Sequence, residues 1–396
     1  MFYKYYLSIN YMKSVLHLMD TYLPIPNTFI YNQVKHLKEY NGLFLVNKVE
    51  NLNNFPYDRS KIKRFPFLFL KNQFYFINNY KRELLFNITF APFNRIMNSY
   101  VLKDLKKWIS KNEVFLLHAD FGTNAIAFQN FKKKLNLPLI TYFYGYDVSV
   151  IQRNRPGFYN KLFKNGDLFL TESEFLASKL REMGCPNNKL EVLRFGIDLT
   201  KFKFKVKKKS KKIKILSVGR LVEKKGMEYA IKAFSIAFKK HKNIEFRIIG
   251  EGPLRKRLEF IIKQNNLNGN VKLLGAQPSS RVVKEMLECH IFMMPSITSK
   301  EGDTEGQGVV FLEAQASGMP ILSTYHNGIP EAVIHKKSGL LCNEKDYEKL
   351  GENLIYLIEN PKEWIKMGKF GRKNVEKNFE IKKQTIELEK IYSRFN

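Results

Sequence analysis

Two loops in this 396-residue chain carry residue types that could do chemistry. The first is Gly219-Arg220-Leu221-Val222-Glu223-Lys224-Lys225-Gly226. It ends the apolar run that starts at Lys214 and opens a helical stretch, Met227 to Lys240. Its backbone N–H groups and the positive end of the helix dipole therefore favour an anion. Arg220 and Lys225 add two full charges at the same place, enough to neutralise a diphosphate without a metal ion. The second loop is Glu305-Gly306-Gln307-Gly308, followed by Glu313-Ala314. Gly306 and Gly308 permit close backbone approach to a ligand. Glu305 precedes a helix and Glu313 falls about two turns into it. Carboxylates only accept hydrogen bonds, and two at different depths suit sugar and ribose hydroxyls.

The elements that must hold these loops alternate in type. In the second half the expected strands are Lys214 to Gly219, Glu245 to Ile249, Val271 to Leu274, Ile291 to Met294 and Pro320 to Ser323. The expected helices are Met227 to Lys240, Leu254 to Gln264, Arg281 to Glu288, Val310 to Ser317 and a short one from Ile329. Strands alternating with helices at this rhythm mean βαβ units and a parallel sheet. The first half repeats the rhythm less cleanly. Its strands are Ser14 to Leu18, Phe44 to Asn47, Val114 to His118, Leu139 to Phe143, Leu168 to Thr171 and Leu190 to Leu193. A helix capped by Asn27 runs through Lys38, and another covers Thr123 to Leu135. Between the halves, Lys203 to Lys214 holds eight lysines in twelve residues and reads as a solvated linker. The expectation is an α/β protein of two doubly wound domains facing each other, with ligands at the carboxyl ends of the strands.

Composition narrows the partners. A net charge of +30 asks for an anionic one, but residues 1–200 carry 28 basic against 15 acidic side chains and the remainder 39 against 22, so no half is a dedicated basic domain. No zinc-finger spacing, basic zipper or RNA-binding aromatic signature is present, so nucleic acid is not the expected partner. Cys185, Cys289 and Cys342 are far apart and read as free thiols in a reducing compartment. The longest apolar runs, such as Phe65 to Leu70, fall well short of a membrane span. Residues 1–11 lack the apolar core and cleavage site of a signal peptide, and Met12 is an alternative start to Met1. A cytoplasmic protein is expected, with peripheral membrane contact left open. Residues 59–82 mix Arg59, Lys61, Lys63 and Arg64 with Phe65, Phe67 and Phe69, a blend suited either to an anionic leaflet or to a core with lysines facing water.

Ser296 to Val333, SITSKEGDTEGQGVVFLEAQASGMPILSTYHNGIPEAV, resembles the signature of retaining glycosyltransferase family 4, whose mark is two glutamates with seven residues between them. SVGRLVEKKG is similar to that family's diphosphate loop. Tyr22-Leu23-Pro24 with Thr28-Phe29-Ile30, His118-Ala119-Asp120-Phe121-Gly122 and Tyr144-Gly145-Tyr146-Asp147 resemble motifs of its exopolysaccharide members. The resemblance implies the GT-B architecture, two Rossmann-like domains. These are an acceptor domain over 12–198, a basic linker over 199–212, a donor domain over 213–375 and a terminal helix over 376–396 that crosses back to the first domain. The apolar pattern Phe379, Ile381, Ile386, Leu388, Ile391, Tyr392 is compatible with that last helix.

Carried over position by position, the resemblance gives Arg220 and Lys225 the leaving diphosphate, with Gly219 in the donor-binding set. Glu305 takes sugar hydroxyls; Gly306, Gln307 and Gly308 offer backbone donors; Glu313 takes the ribose. Configuration is retained, no metal or other cofactor is needed, and the nucleotide-diphosphate-sugar is a substrate. The acceptor implied is a glycan or lipid-linked oligosaccharide in surface polysaccharide synthesis. Tyr144, Asp147, His118, Asn27 and Thr28 are candidates on the acceptor or donor-sugar side. Tyr144 stands where many members have histidine, and a phenol is a poor base near neutrality. His118 reads equally as a core-edge residue. Asn327 replaces a common glycine and is expected to narrow its loop. The rivals are a nucleotide-sugar epimerase of the same architecture and a basic nucleic-acid-binding protein.

Overall fold

The computed structural model describes residues 12–23, 28–64 and 102–396. Among these residues the first sheet has seven strands: β1 (Ser14–Tyr22), β2 (Asn41–Val49), β3 (Ile62–Arg64), β4 (Val114–Asp120), β5 (Leu139–Phe143), β6 (Leu168–Thr171) and β7 (Leu190–Val192). Their order is β3-β2-β1-β4-β5-β6-β7. The second has six: β8 (Ile213–Val218), β9 (Ile244–Ile249), β10 (Val271–Leu273), β11 (Ile291–Met293), β12 (Ile321–Thr324) and β13 (Gly339–Cys342), in the order β10-β9-β8-β11-β12-β13. β8 pairs in parallel with both β9 and β11, and β1 with both β2 and β4. Each sheet thus reverses direction beside its first strand, the doubly wound order of a Rossmann fold. The strands read as continuous apolar runs because they are covered on both faces; β5 and β12 are buried at every position.

Contacts divide the chain into two compact units. One comprises Met1–Phe143, Tyr159–Leu170 and Thr385–Asn396; the other comprises Tyr144–Phe158 and Thr171–Gln384. Residues 144–158 and 171–198, read from sequence as part of the first domain, therefore group with the second unit.

The second unit adds β13 and two helices, Tyr347–Glu359 and Pro361–Asn378, that the sequence reading passes over. The basic segment is also less solvated than expected. Lys207 is only 3% exposed, and its ammonium donates to the carbonyls of Met286 (2.5 Å) and Leu287 (3.3 Å) at the end of helix Ser279–Glu288. A cation there complements the carbonyl end of the helix, while burial lowers its pKa to about 8. The final helix, Ile381–Ser393, buries Leu388, Ile391 and Tyr392 but leaves Ile386 49% exposed, so the apolar pattern read from sequence is one residue too wide. All three cysteines are free and buried.

Candidate active site

The candidate donor-side residues lie inside the second unit, on the loops that follow β8 and β11 and, for Glu313, on the helix Val309–Ala316. These two strands flank the point where the sheet order reverses, the crevice in which open α/β sheets hold ligands. Gly226 makes the approach of the two loops possible. Its φ is +65°, and a Cβ there would lie 1.8 Å from the carbonyl oxygen of Pro295. Ile297 N donates to Lys224 O at 2.9 Å, stitching the loops together. The Lys224 ammonium donates to Asp303 Oδ1 and Thr304 O, both at 3.0 Å.

Lys225 forms an ion pair with Glu305, and both side chains are largely buried. Burial alone would raise the Glu305 carboxyl; Lys225 and then Lys224 outweigh it and hold the pKa below the usual value. Glu305 is therefore ionised, a hydrogen-bond acceptor. Arg220 is exposed and makes no ion pair among the described residues. The two cations read together from sequence are thus unequal: Lys225 is engaged with Glu305, while Arg220 is available to an incoming anion.

Gly308, at φ +78°, starts helix Val309–Ala316, on which Glu313 lies half-buried. Burial pushes the Glu313 carboxyl up to about 7, with Lys201 opposing the rise. The loop's backbone is pinned from beneath. Glu305 N donates to His326 Nε2 at 3.0 Å, and His326 Nδ1 meets Glu344 Oε1 at 2.5 Å. Since Nε2 accepts, the ring proton belongs on Nδ1, facing the glutamate. Asn327 adopts φ +45°, a left-handed angle that asparagine tolerates, and its Nδ2 donates to Glu305 O at 2.8 Å. The asparagine standing in for a glycine thus keeps the turn and adds a clamp.

The chain is similar to known proteins in sequence and in fold. The colanic acid biosynthesis glycosyltransferase WcaL of Escherichia coli (strain K12) is 36% identical over 274 residues, 67% of this chain and 67% of that protein. The Glycosyl transferases group 1 signature matches residues 198–374, and that of Glycosyltransferase Family 4 matches residues 72–201. The chain belongs to the glycosyl transferases group 1. A second relative, the amylovoran biosynthesis glycosyltransferase AmsK of Erwinia amylovora, is 34% identical over 67% of this chain and 66% of its own length. The aligned stretches span about two thirds of these relatives. Among solved structures, Anabaena Alr3699/HepE in complex with UDP and glucose superposes with a TM-score of 0.75 over 96% of this chain and 100% of that one, at 16% identity, a likeness of fold. The architecture is GT-B.

In this group 1 enzyme the remaining sequence candidates fall in two places. Tyr144 is 5% exposed and stacks on Phe195, rings 6.2 Å apart at 10°. Its backbone N–H donates to Asp147 Oδ2 at 3.1 Å, and Asp147 N donates back to Tyr144 O at 3.0 Å. Asp147 is fully buried, so it shapes the turn. That turn lies against the glycine loop: a Cβ on Gly145 would sit 3.1 Å from Gly306 N. His118 belongs to the first unit and is fully buried in it. Its Nδ1 meets Tyr392 Oη at 2.6 Å, its ring stacks on His17 with centroids 4.7 Å apart, and burial drives its pKa down to about 3. The core reading of His118 is the one the packing supports. His17, His118 and Asp120 bring ligand-type atoms within 4.8 Å of one another, all fully buried, and none of the donor-side residues is among them. Thr28 is exposed at the start of helix Thr28–Lys35, and Asn27 lies outside the described residues. The sequence reading missed His326, Glu344, Glu172 and Glu331. Glu331 accepts from Glu174 N and Phe175 N at 3.0 and 2.9 Å, capping helix Glu174–Glu182. His326 meets Glu305 and Glu344 across 21 and 18 positions and Glu331 meets Glu174 across 157, so no local pattern announces these groups.

Proposed function

We propose that this glycosyltransferase transfers a sugar from a nucleoside-diphosphate sugar with retention of configuration, without a divalent metal, onto a glycan or lipid-linked acceptor in exopolysaccharide synthesis. The observation that carries the donor reading is the Lys225–Glu305 pair set beside an uncommitted Arg220 at the switch point of the second sheet. Cation and dipole face the diphosphate, and an ionised carboxylate faces the sugar hydroxyls. The exopolysaccharide role is supported by the names of WcaL and AmsK, and a nucleoside diphosphate by the UDP bound in HepE.

In the step proposed, the acceptor hydroxyl oxygen bonds to the anomeric carbon on the face that the diphosphate leaves. The bond from that carbon to the diphosphate oxygen breaks, and the acceptor's proton passes to the departing phosphate. Arg220 supports the charge that develops on the leaving group, and Glu305 holds the ring in place through its hydroxyls. Glu313 accepts from the ribose. Preorganised charge of this kind is the largest single source of rate enhancement in many enzymes. The test is a panel of UDP-, GDP-, ADP- and TDP-sugars, read first by thermal shift and then by NMR of the glycoside formed, with and without EDTA. An α-linked donor should give an α-linked product at an undiminished rate in EDTA. A β product or a rate abolished by EDTA would overturn the retaining or metal-free part respectively.

A further inference from the structure

Glu172 is the buried acid that the donor reading leaves without a task. It sits between the end of β6 and Ser173, whose Oγ accepts from Leu176 N at 3.2 Å to cap helix Glu174–Glu182. It is 2% exposed. A Cβ placed on Gly306 would lie 2.2 Å from Glu172 Oε1. Gly306 has no left-handed φ, so it is glycine for space, and the space is taken by this carboxyl. Thr171 Oγ1 donates to the other oxygen, Oε2, at 3.3 Å. No cation pairs with Glu172 among the described residues. The charges that reach it are the carboxylates of Glu305 and Asp147. Burial first, with those two fields adding and the hydrogen bonds from its own backbone N–H and from Thr171 opposing, pushes its pKa up to about 8. Oε2 is the oxygen that Thr171 occupies, and Oε1 is the one over Gly306. On the same loop, neither carboxamide atom of buried Gln307 has a hydrogen-bond partner among the described residues. The loop therefore already carries polar groups for something other than the protein to satisfy.

We propose that Glu172 is a further donor-binding residue: a neutral carboxylic acid that presents its Oε1 hydroxyl over Gly306 as a hydrogen-bond donor to the nucleoside-diphosphate sugar. It complements Glu305, which can only accept, so the loop offers the sugar one donor and one acceptor. Loss of the proton removes the donor and adds a third negative charge beside Asp147 and Glu305, against an anionic ligand. The other charged groups around the loop are accounted for. Lys225 and Lys224 are engaged with Glu305 and Asp303, Glu331 caps the helix after Glu172, and His326 is held between Glu305 N and Glu344. Glu313 titrates near 7 and acts in the opposite direction, so the readout lies above pH 7.5.

This inference rests on the donor reading, and the experiment separates the two. Binding of UDP-glucose and GDP-mannose is measured by calorimetry from pH 7 to 9.5 for the wild type, Glu172→Gln, Glu172→Met and Arg220→Ala. For the sugar that binds, wild-type affinity should fall roughly tenfold between pH 7.5 and 9, as a group titrating near 8 loses its proton. Glu172→Gln keeps a donor and should stay flat across the range. Glu172→Met keeps only bulk and should be weakened roughly tenfold already at pH 7.5. A methionine variant that binds like the wild type at pH 7.5, or a glutamine variant with the wild-type alkaline loss, overturns the proposal while leaving the donor site standing. Wild-type protein that binds neither sugar, or binds unaffected by Arg220→Ala, overturns the donor reading and this inference with it. Melting of the ligand-free protein gives a second check. The folded pKa lies above the ordinary 4.5, so the stability Glu172 contributes is complete below that value and is lost as pH rises through about 8. Wild-type melting should therefore fall more steeply than that of Glu172→Gln between pH 6 and 9; parallel curves mean the carboxyl does not hold its proton.

Discussion

Arg220 and Lys225 stand five positions apart on one loop, yet removing them should have different signatures. Lys225 neutralises a buried glutamate, so its loss disturbs the site before any substrate arrives. Arg220 is exposed and has no ion pair among the described residues, so its loss should be felt only once a donor diphosphate is bound, in its affinity and again as charge develops on the leaving group. Arg220→Ala is expected to lower turnover a hundredfold or more, on the ~3 kcal/mol scale of one preorganised contact, with an unchanged melting temperature. Turnover within a few-fold of wild type would remove Arg220 from the chemistry. Glu313 supplies an acid limb. Its carboxyl titrates near 7, and only the ionised form accepts from both ribose hydroxyls, so donor affinity should rise as pH goes from 6 to 7.5. Glu313→Gln should bind more weakly than wild type and show no such rise; a variant that keeps the slope would place the titrating group elsewhere.

The loop-bearing elements explain which parts of the fold were legible. β5, β6 and helix Met227–Lys240 match the sequence expectation residue for residue. Fully buried parallel strands are short apolar runs, and that helix buries Ala230, Ile231, Phe234 and Ala237 at helical spacing. β13 is four residues containing glycine and cysteine, too short to carry a period. Helix Tyr347–Glu359 does carry one in Leu350, Leu354, Leu357 and Ile358, so there the signal exists and goes unread. In the site, the motif glutamates and basic loop were legible because spacing along the chain defines them. The clamp of His326 on Glu305 N and the wedge of Glu172 on Gly306 were not, because each joins distant segments. Gly226 was legible only as the end of a motif; the structure adds that a side chain there would strike Pro295 O. Gly226→Ala should therefore lower unfolding free energy by about 2 kcal/mol or more in urea titrations, since both the left-handed φ and a backbone clash oppose it. A loss under ~0.5 kcal/mol, the size of a benign surface change, would show the two loops are not held as described.

At the scale of the whole molecule, no described helix is long and apolar enough to cross a membrane. The basic and aromatic stretch read from sequence at 59–82 is described only to Arg64. There Lys63 already pairs with Asp104 at 3.1 Å, and Arg64 Nε donates to Asn47 O at 3.1 Å. These two are thus partly engaged within the protein, and an anionic surface would have to compete with those contacts. The protein is expected to sediment with anionic vesicles at low salt and to be released by Lys61→Glu, Lys63→Glu and Arg64→Glu together, with donor binding unchanged. Wild-type protein left in the supernatant would show that no anionic surface is recognised.

The first unit is closed by residues 385–396. Glu389 Oε1 accepts from Lys38 N and Glu39 N at 2.6 and 2.7 Å, and Tyr392 reaches His118. Deleting these residues should make the first unit sensitive to protease while donor binding, proposed for residues of the second unit, survives. Uniform resistance would show that the helix end is dispensable. The same feature orders events on the ribosome. At roughly 5–20 residues per second, the stretch Thr171–Gln384 takes tens of seconds to emerge. All that time the strands that began the chain wait for their last helix. The domain synthesised first is the one completed last, and during that interval its unfinished core is what a chaperone would meet.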